Sequence, residues 1–148
     1  VYKRILLATD GSENSKRAGK HAIWIADASG ADLIVLNVIE PYYPQISALP
    51  SFRESIYNEL REEGKKAVES FKKDLEISQC NGVCKTIKLT TRIREGKAYL
   101  EILRFIEDEN VDLVVIGASG RHGLDRLMLG SVTERVMRNA NCPVMVIH

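Results

Sequence analysis

Leu33-Ile34-Val35-Leu36-Asn37-Val38-Ile39 is an almost continuous apolar run, the composition of a β-strand buried on both faces rather than one alternating between core and solvent. Glu40-Pro41 ends it. Upstream, Lys3-Arg4-Ile5-Leu6-Leu7-Ala8 is a shorter β-rich run that stops at Thr9-Asp10-Gly11-Ser12. A helical pattern follows, with Ala18, Ala22, Ile25 and Ala26 on one face and Ser29-Gly30 as its close.

The strand, turn and helix unit recurs downstream. Thr86 to Arg92 reads as a third strand, Gly96 as a turn, and Tyr99 to Glu109 as a helix with Ala98, Ile102, Phe105 and Ile106 on its buried side. Asp112-Leu113-Val114-Val115-Ile116 is a fourth strand, followed by a glycine-rich loop, a helix from about Ser131 to Asn139 and a last apolar strand after Pro143. Pro41 to Ser51 holds three prolines and two tyrosines, which predicts a surface loop suited to a lid or a partner contact. A long charged helix, Phe52 to Ile77, places Ile56, Leu60, Ala67, Phe71 and Leu75 at helical spacing. Apolar strands alternating with helices predict an α/β fold, an open five-stranded parallel sheet with helices on both faces.

Composition agrees with one domain over residues 1–148. The 45% hydrophobic and 28% charged residues suit an ordinary globular core. Twenty-one Lys and Arg stand against twenty Asp and Glu, a formal net charge of +1, so no overall field draws nucleic acid or an anionic membrane. The longest apolar stretches are too short for a bilayer and no secretory pattern opens the chain, which predicts a soluble cytoplasmic protein. Three cysteines are an odd number. Unpaired thiols are expected, with a local Cys80–Cys84 disulfide beside Asn81-Gly82 as the alternative. No Cys and His cluster has zinc-site spacing.

Ligands of open parallel sheets collect at the carboxyl ends of strands, where strand order reverses. The search for chemistry therefore narrows to the segments after Ala8, Val38, Arg92 and Ile116. After Ile116 come Gly117-Ala118-Ser119-Gly120-Arg121-His122-Gly123 and then Leu129-Gly130-Ser131-Val132-Thr133-Glu134. Gly117 and Gly120 let backbone amides approach a ligand, or simply make a strand-to-helix turn. Ser131 and Glu134 have capping-box spacing, so Gly130-Ser131 opens a helix whose first amides and positive dipole end can meet an anion. Arg121, and Arg126 less directly, can add a charge to a phosphate contact. Asp10 suits either a helix cap or a ligand contact. His122 suits a phosphate or solvent, His21 suits a packed structural role, and Trp24 projects away from the apolar stripe of its helix.

Glycine, two residues, glycine, nine residues, glycine and serine, complete in Gly117, Gly120, Gly130 and Ser131, resembles the ATP-binding motif of the universal stress protein family. Ile5-Leu6-Leu7-Ala8-Thr9-Asp10-Gly11-Ser12, Leu36-Asn37-Val38-Ile39 and Cys142-Pro143-Val144-Met145-Val146 resemble the same family in the same order. The resemblance implies a Rossmann-like nucleotide-binding fold taking ATP or another adenine nucleotide, with Mg. Asp10 would approach the ribose or, through water, the magnesium ion, and Val38 the adenine. Ala8, Thr9 and Ile116 would line the cleft, and Gly117 and Gly120 would pass close to ribose and phosphates. Gly130, Ser131, Val132 and Thr133 would grip phosphates by amide and hydroxyl groups. The family pattern often has proline where Ala8 stands here. It also implies a homodimer through Val144–Ile147, an apolar final strand suited to edge pairing.

Other signatures fail on spacing. There is no Gly-x-x-x-x-Gly-Lys-Ser/Thr, no Gly-x-Ser-x-Gly around Ser119, and the 117, 120, 123 glycines do not match the dinucleotide fingerprint. No base is placed by the sequence to activate a water, which favours a nucleotide-responsive regulatory or interaction module with an unknown protein partner over a rapid catalyst. The alternatives are a slow adenine-nucleotide hydrolase or transferase, and a dimeric interaction protein that binds no nucleotide.

Overall fold

The structure is a computed structural model that describes residues 1–41, 50–82, 87–119 and 128–148, leaving aside the side chain of Cys80. Five parallel strands are joined by four helices: β1 Arg4–Ala8, α1 Glu13–Ser29, β2 Asp32–Ile39, α2 Pro50–Cys80, β3 Leu89–Glu95, α3 Ala98–Asp108, β4 Leu113–Gly117, α4 Ser131–Asn139 and β5 Val144–Ile147. Their order across the sheet is β3-β2-β1-β4-β5. The apolar runs explain the order: β1, β2 and β4 are buried nearly throughout and occupy the centre, while the more polar β3 takes one edge and the four-residue β5 the other.

Helices cover both faces. On one face Ala18, Ala22 and Ala26 of α1, with Val68, Phe71 and Leu75 of α2, pack on Ile5, Leu7, Leu33 and Val35. On the other, Ile102, Phe105 and Ile106 of α3 and Val136 of α4 pack on Leu6, Ile34, Leu36, Val114 and Ile116. Gly19 lets α1 and α2 meet, since a Cβ there would stand 2.7 Å from the Phe71 ring. α1 begins at the N-cap Ser12, whose side chain accepts from the Ser15 amide, and ends at Gly30 with φ 67°, the left-handed geometry that glycine supplies cheaply.

Several expectations need correction. The third strand is Leu89–Glu95 rather than Thr86 to Arg92, of which Thr86 lies outside the described residues: pairing with β2 begins at Leu33↔Leu89 and Gly96, with φ 141°, ends the strand. α2 extends three residues beyond Ile77 and two before Phe52. His21 is exposed, not packed, because it falls outside the buried row Ala18, Ala22, Ile25. Asp10 does not cap α1; Ser12 does, and the Asp10 Oδ1 accepts from the Ser12 amide at 2.9 Å. Trp24 is 71% exposed, in keeping with its projection away from the apolar stripe. Most of the Pro41 to Ser51 loop and Cys84 lie outside the described residues. No helix among the described residues is long and apolar enough to cross a membrane.

Candidate functional site

Strand order reverses at β1, whose neighbours are β2 and β4, and the carboxyl ends there must diverge to reach different helices. A cavity of about 280 Å³ opens at that point, close to the roughly 300 Å³ at which small-molecule pockets begin. Ala8, Thr9, Asp10, Val38, Ile116, Gly117, Gly130, Ser131, Val132 and Thr133 all line it. Ten of the sequence-derived positions, drawn from four separated segments, are thus brought to one cavity. Gly120 and Arg121 lie outside the described residues, as do His122 and Arg126.

The cavity has two chemically distinct ends. Val38 and Leu36 of β2 meet Ala98 and Ile102 of α3 in an apolar slot. Asp10, Ser12, Ser119 and Ser131 supply polar groups toward α1 and α4. Ser12, Ser15, Leu36, Ala98, Ile102 and Ser119 were not among the expected site residues. Ala98 and Ile102 carried a signal, their helical spacing, but it also describes core, and they sit at the α3 end where core opens into cavity.

Three helix N-termini surround this point, and they differ in what already occupies them. At α1 the Ser12 side chain accepts from Ser15 N at 3.3 Å. At α3 the Glu40 carboxylate accepts from Ala98 N at 3.0 Å, so an acidic group already holds the positive end. At α4 the N-cap is Gly130, and no described side chain caps the first turn. The first amides of a helix have no partner within it, so α4 directs them, with its dipole, at whatever enters the cavity. The expected capping box is not formed. Gly130, not Ser131, is the N-cap, its own amide donates to the Ala118 carbonyl at 2.7 Å, and the Glu134 carboxylate pairs with Arg138 instead.

Hydrogen bonds fix the walls. The Thr133 hydroxyl donates to the Gly117 carbonyl at 2.7 Å, so that hydrogen braces α4 on β4 rather than reaching a ligand. Asn14 Nδ2 donates to Ser119 Oγ at 2.6 Å and ties the start of α1 to the segment after β4. Gly117 is glycine for a packing reason: a Cβ there would stand 2.9 Å from the Asn14 backbone. Among the described lining residues, Asp10 carries the ionisable side chain. No group of three or more His, Cys, Asp or Glu able to hold a metal occurs among the described residues.

An open parallel sheet with a ligand-sized cavity at its switch point, one end apolar and the other faced by a helix terminus that no described side chain caps, places the chain among doubly wound α/β proteins. Comparison with known proteins narrows this. The Universal stress protein family model matches residues 1–148, and the chain belongs to that family. It is similar to universal stress protein MJ0531 of Methanocaldococcus jannaschii, 40% identical over 148 residues, covering 99% of this chain and 82% of that protein. Among solved structures, UspA from Lactobacillus plantarum matches with a TM-score of 0.83 at 26% identity, covering 99% of this chain and 98% of the other. A universal stress protein in complex with cAMP matches with a TM-score of 0.60 at 26% identity, over 99% of this chain and 97% of the other.

Proposed function

We propose that the 148 residues act as one adenine-nucleotide-binding unit, a regulatory or interaction module that takes ATP at the β1/β4 switch point. The observation that carries this reading is the division of the cavity. A planar base suits the apolar slot between Val38 and Ile102, and phosphates suit the start of α4 at Gly130-Ser131, which no described side chain caps. At α3 the Ala98 amide already donates to the Glu40 carboxylate, so that terminus offers phosphates less than α4 does. The cAMP complex of a relative supports the choice of an adenine nucleotide.

Magnesium fits the same arrangement. It keeps several waters and takes phosphates with only one or two carboxylates as partners, and Asp10 is such a carboxylate on the wall. When bound, the ion would offset phosphate charge. Ser119 and Ser131 add hydroxyl groups at the polar end, and the α4 amides add fixed donors. ATP bound to the folded form alone then stabilises that form and the surfaces it presents. Pairing of two copies along the open edge of β5 gives those surfaces a partner, a homodimer.

Gly130→Lys is the direct test. Gly130 has φ −63° and ψ 151°, a conformation open to any L residue, so lysine enters without backbone strain and its side chain obstructs the α4 terminus. Protein purified without added nucleotide, then denatured and analysed by mass spectrometry, should release an adenine nucleotide from the wild type and none from the variant. Equal release from both would place the ligand elsewhere; a wild type that releases none and refuses added ATP with magnesium would end the nucleotide reading.

A further inference from the structure

Two local anomalies stand behind the cavity, outside its lining. Asn37 is the polar residue within the apolar run of β2 and is buried, 5% exposed. Gly64 lies inside the 31-residue α2, where glycine disfavours helix relative to alanine. The two touch: a Cβ on Gly64 would stand 2.5 Å from Asn37 Oδ1 and 3.3 Å from its Cγ. Gly64 is therefore glycine because the Asn37 amide fills the space.

The other end of that amide explains why asparagine is there. Asn37 Nδ2 donates to the Thr9 carbonyl at 2.9 Å. Thr9 is held at every other polar atom as well. Its amide donates to the Leu36 carbonyl at 2.9 Å, its hydroxyl donates to Ser15 Oγ at 3.1 Å, and the same oxygen accepts from Gly11 N at 3.2 Å. The bond from Asn37 fixes the peptide joining Thr9 to Asp10, which walls the cavity. Strand alternation puts Leu36 and Val38 on the cavity side and Asn37 on the α2 side, so this support comes from behind the site.

We infer that Asn37, seated on Gly64, is a positioning residue for the cavity: it holds the Thr9–Asp10 peptide in place and makes α2 part of the site's support. The effect on ligand affinity rests on the nucleotide reading above; the effect on the turn does not. A preorganised wall binds more tightly because less order must be imposed on binding. Removing the donor leaves the Thr9 carbonyl without it and loosens the turn.

The test pairs Asn37→Leu, which deletes the donor, with Gly64→Ala, which pushes the amide out of place while favouring helix in α2. Amide hydrogen exchange at Gly11 and Ser12 is read by NMR on protein without nucleotide, with the amides of β4 as reference, and ATP affinity is measured by calorimetry. Both variants should speed exchange at Gly11 and Ser12 relative to β4 and weaken ATP binding on the order of tenfold, the scale of one hydrogen bond. Gly64→Ala is the discriminating member, since a role in helix stability alone would leave its turn and affinity unchanged or tighter. Unchanged exchange and affinity in both variants would overturn the inference. Faster local exchange in a protein that binds no ATP even as wild type would keep the positioning role and defeat the nucleotide reading.

Discussion

Gly117 and Gly130 share a residue type and a motif but not a reason for being glycine. At Gly117 the backbone of α1 lies where a Cβ would project, so the absence of a side chain is a packing requirement at the end of a buried strand. At Gly130 the backbone is ordinary, so no left-handed turn calls for glycine there. Spacing made both legible as one pattern; only the surroundings separate them. The same limit applied to Ser131, read as a cap when it is the first helical residue. Cap and first residue differ by one position, and the Gly130 carbonyl, which accepts the first helical bond from the Glu134 amide at 2.9 Å, decides between them. Cys142 yields a prediction at this scale. Burial pushes its thiol pKa up, and the Asp112 carboxylate pushes it further in the same direction. Less of the reactive thiolate is therefore present at pH 8 than in a free thiol. Iodoacetamide should label Cys142 in folded protein several-fold more slowly than in urea-unfolded chain, measured by peptide mass spectrometry; equal rates would contradict the assignment.

The sheet edges behave differently as elements. β3 carries Arg92 and Arg94, charged residues of the kind that blunt an edge, whereas β5 is wholly apolar, Val-Met-Val-Ile. The Pro143 carbonyl accepts from Val114 of β4, and the Ile147 carbonyl from Ala118 just after it. In a parallel ladder the positions between alternate, so Val144 and Val146 turn their N–H and carbonyl groups outward. If two copies pair here, Val146→Pro removes an outward donor and spares the β4 ladder. Sizing chromatography should then show monomer with the sheet signal intact in circular dichroism, and an unchanged dimer would refute edge pairing. Proline is a cleaner change than a lysine at Val146, which packs against the α3–α4 core. Long buried strands were the most legible elements, because an apolar run such as Leu33 to Val38 has few other uses. The bounds of β3 were not legible: Thr86 to Arg94 keeps much the same strand character throughout, and the partner strand chooses where pairing begins. Gly64 and Val68 were missed on α2, one for lacking a side chain and the other for sitting in a charged stretch, yet both are buried against the sheet side of the molecule.

At the scale of the whole molecule, the order β3-β2-β1-β4-β5 gathers segments more than a hundred residues apart into one cavity. The family and fold were legible because the conspicuous segments occur in a fixed order; the division of the cavity was not, because it depends on which helix terminus is already capped. Ser12 serves α1, Glu40 serves α3, and no described side chain serves α4. That asymmetry is the physical basis for the direction proposed for the nucleotide, and under that proposal phosphate is the larger source of affinity. The most direct measurement is a calorimetric titration of nucleotide-stripped protein, with magnesium, using adenosine, AMP, ADP and ATP in turn. One saturable site should appear, with ATP bound more tightly than adenosine by at least about tenfold, roughly 1.4 kcal/mol. Adenosine binding as tightly as ATP, or no binding by any of the four, would contradict the account.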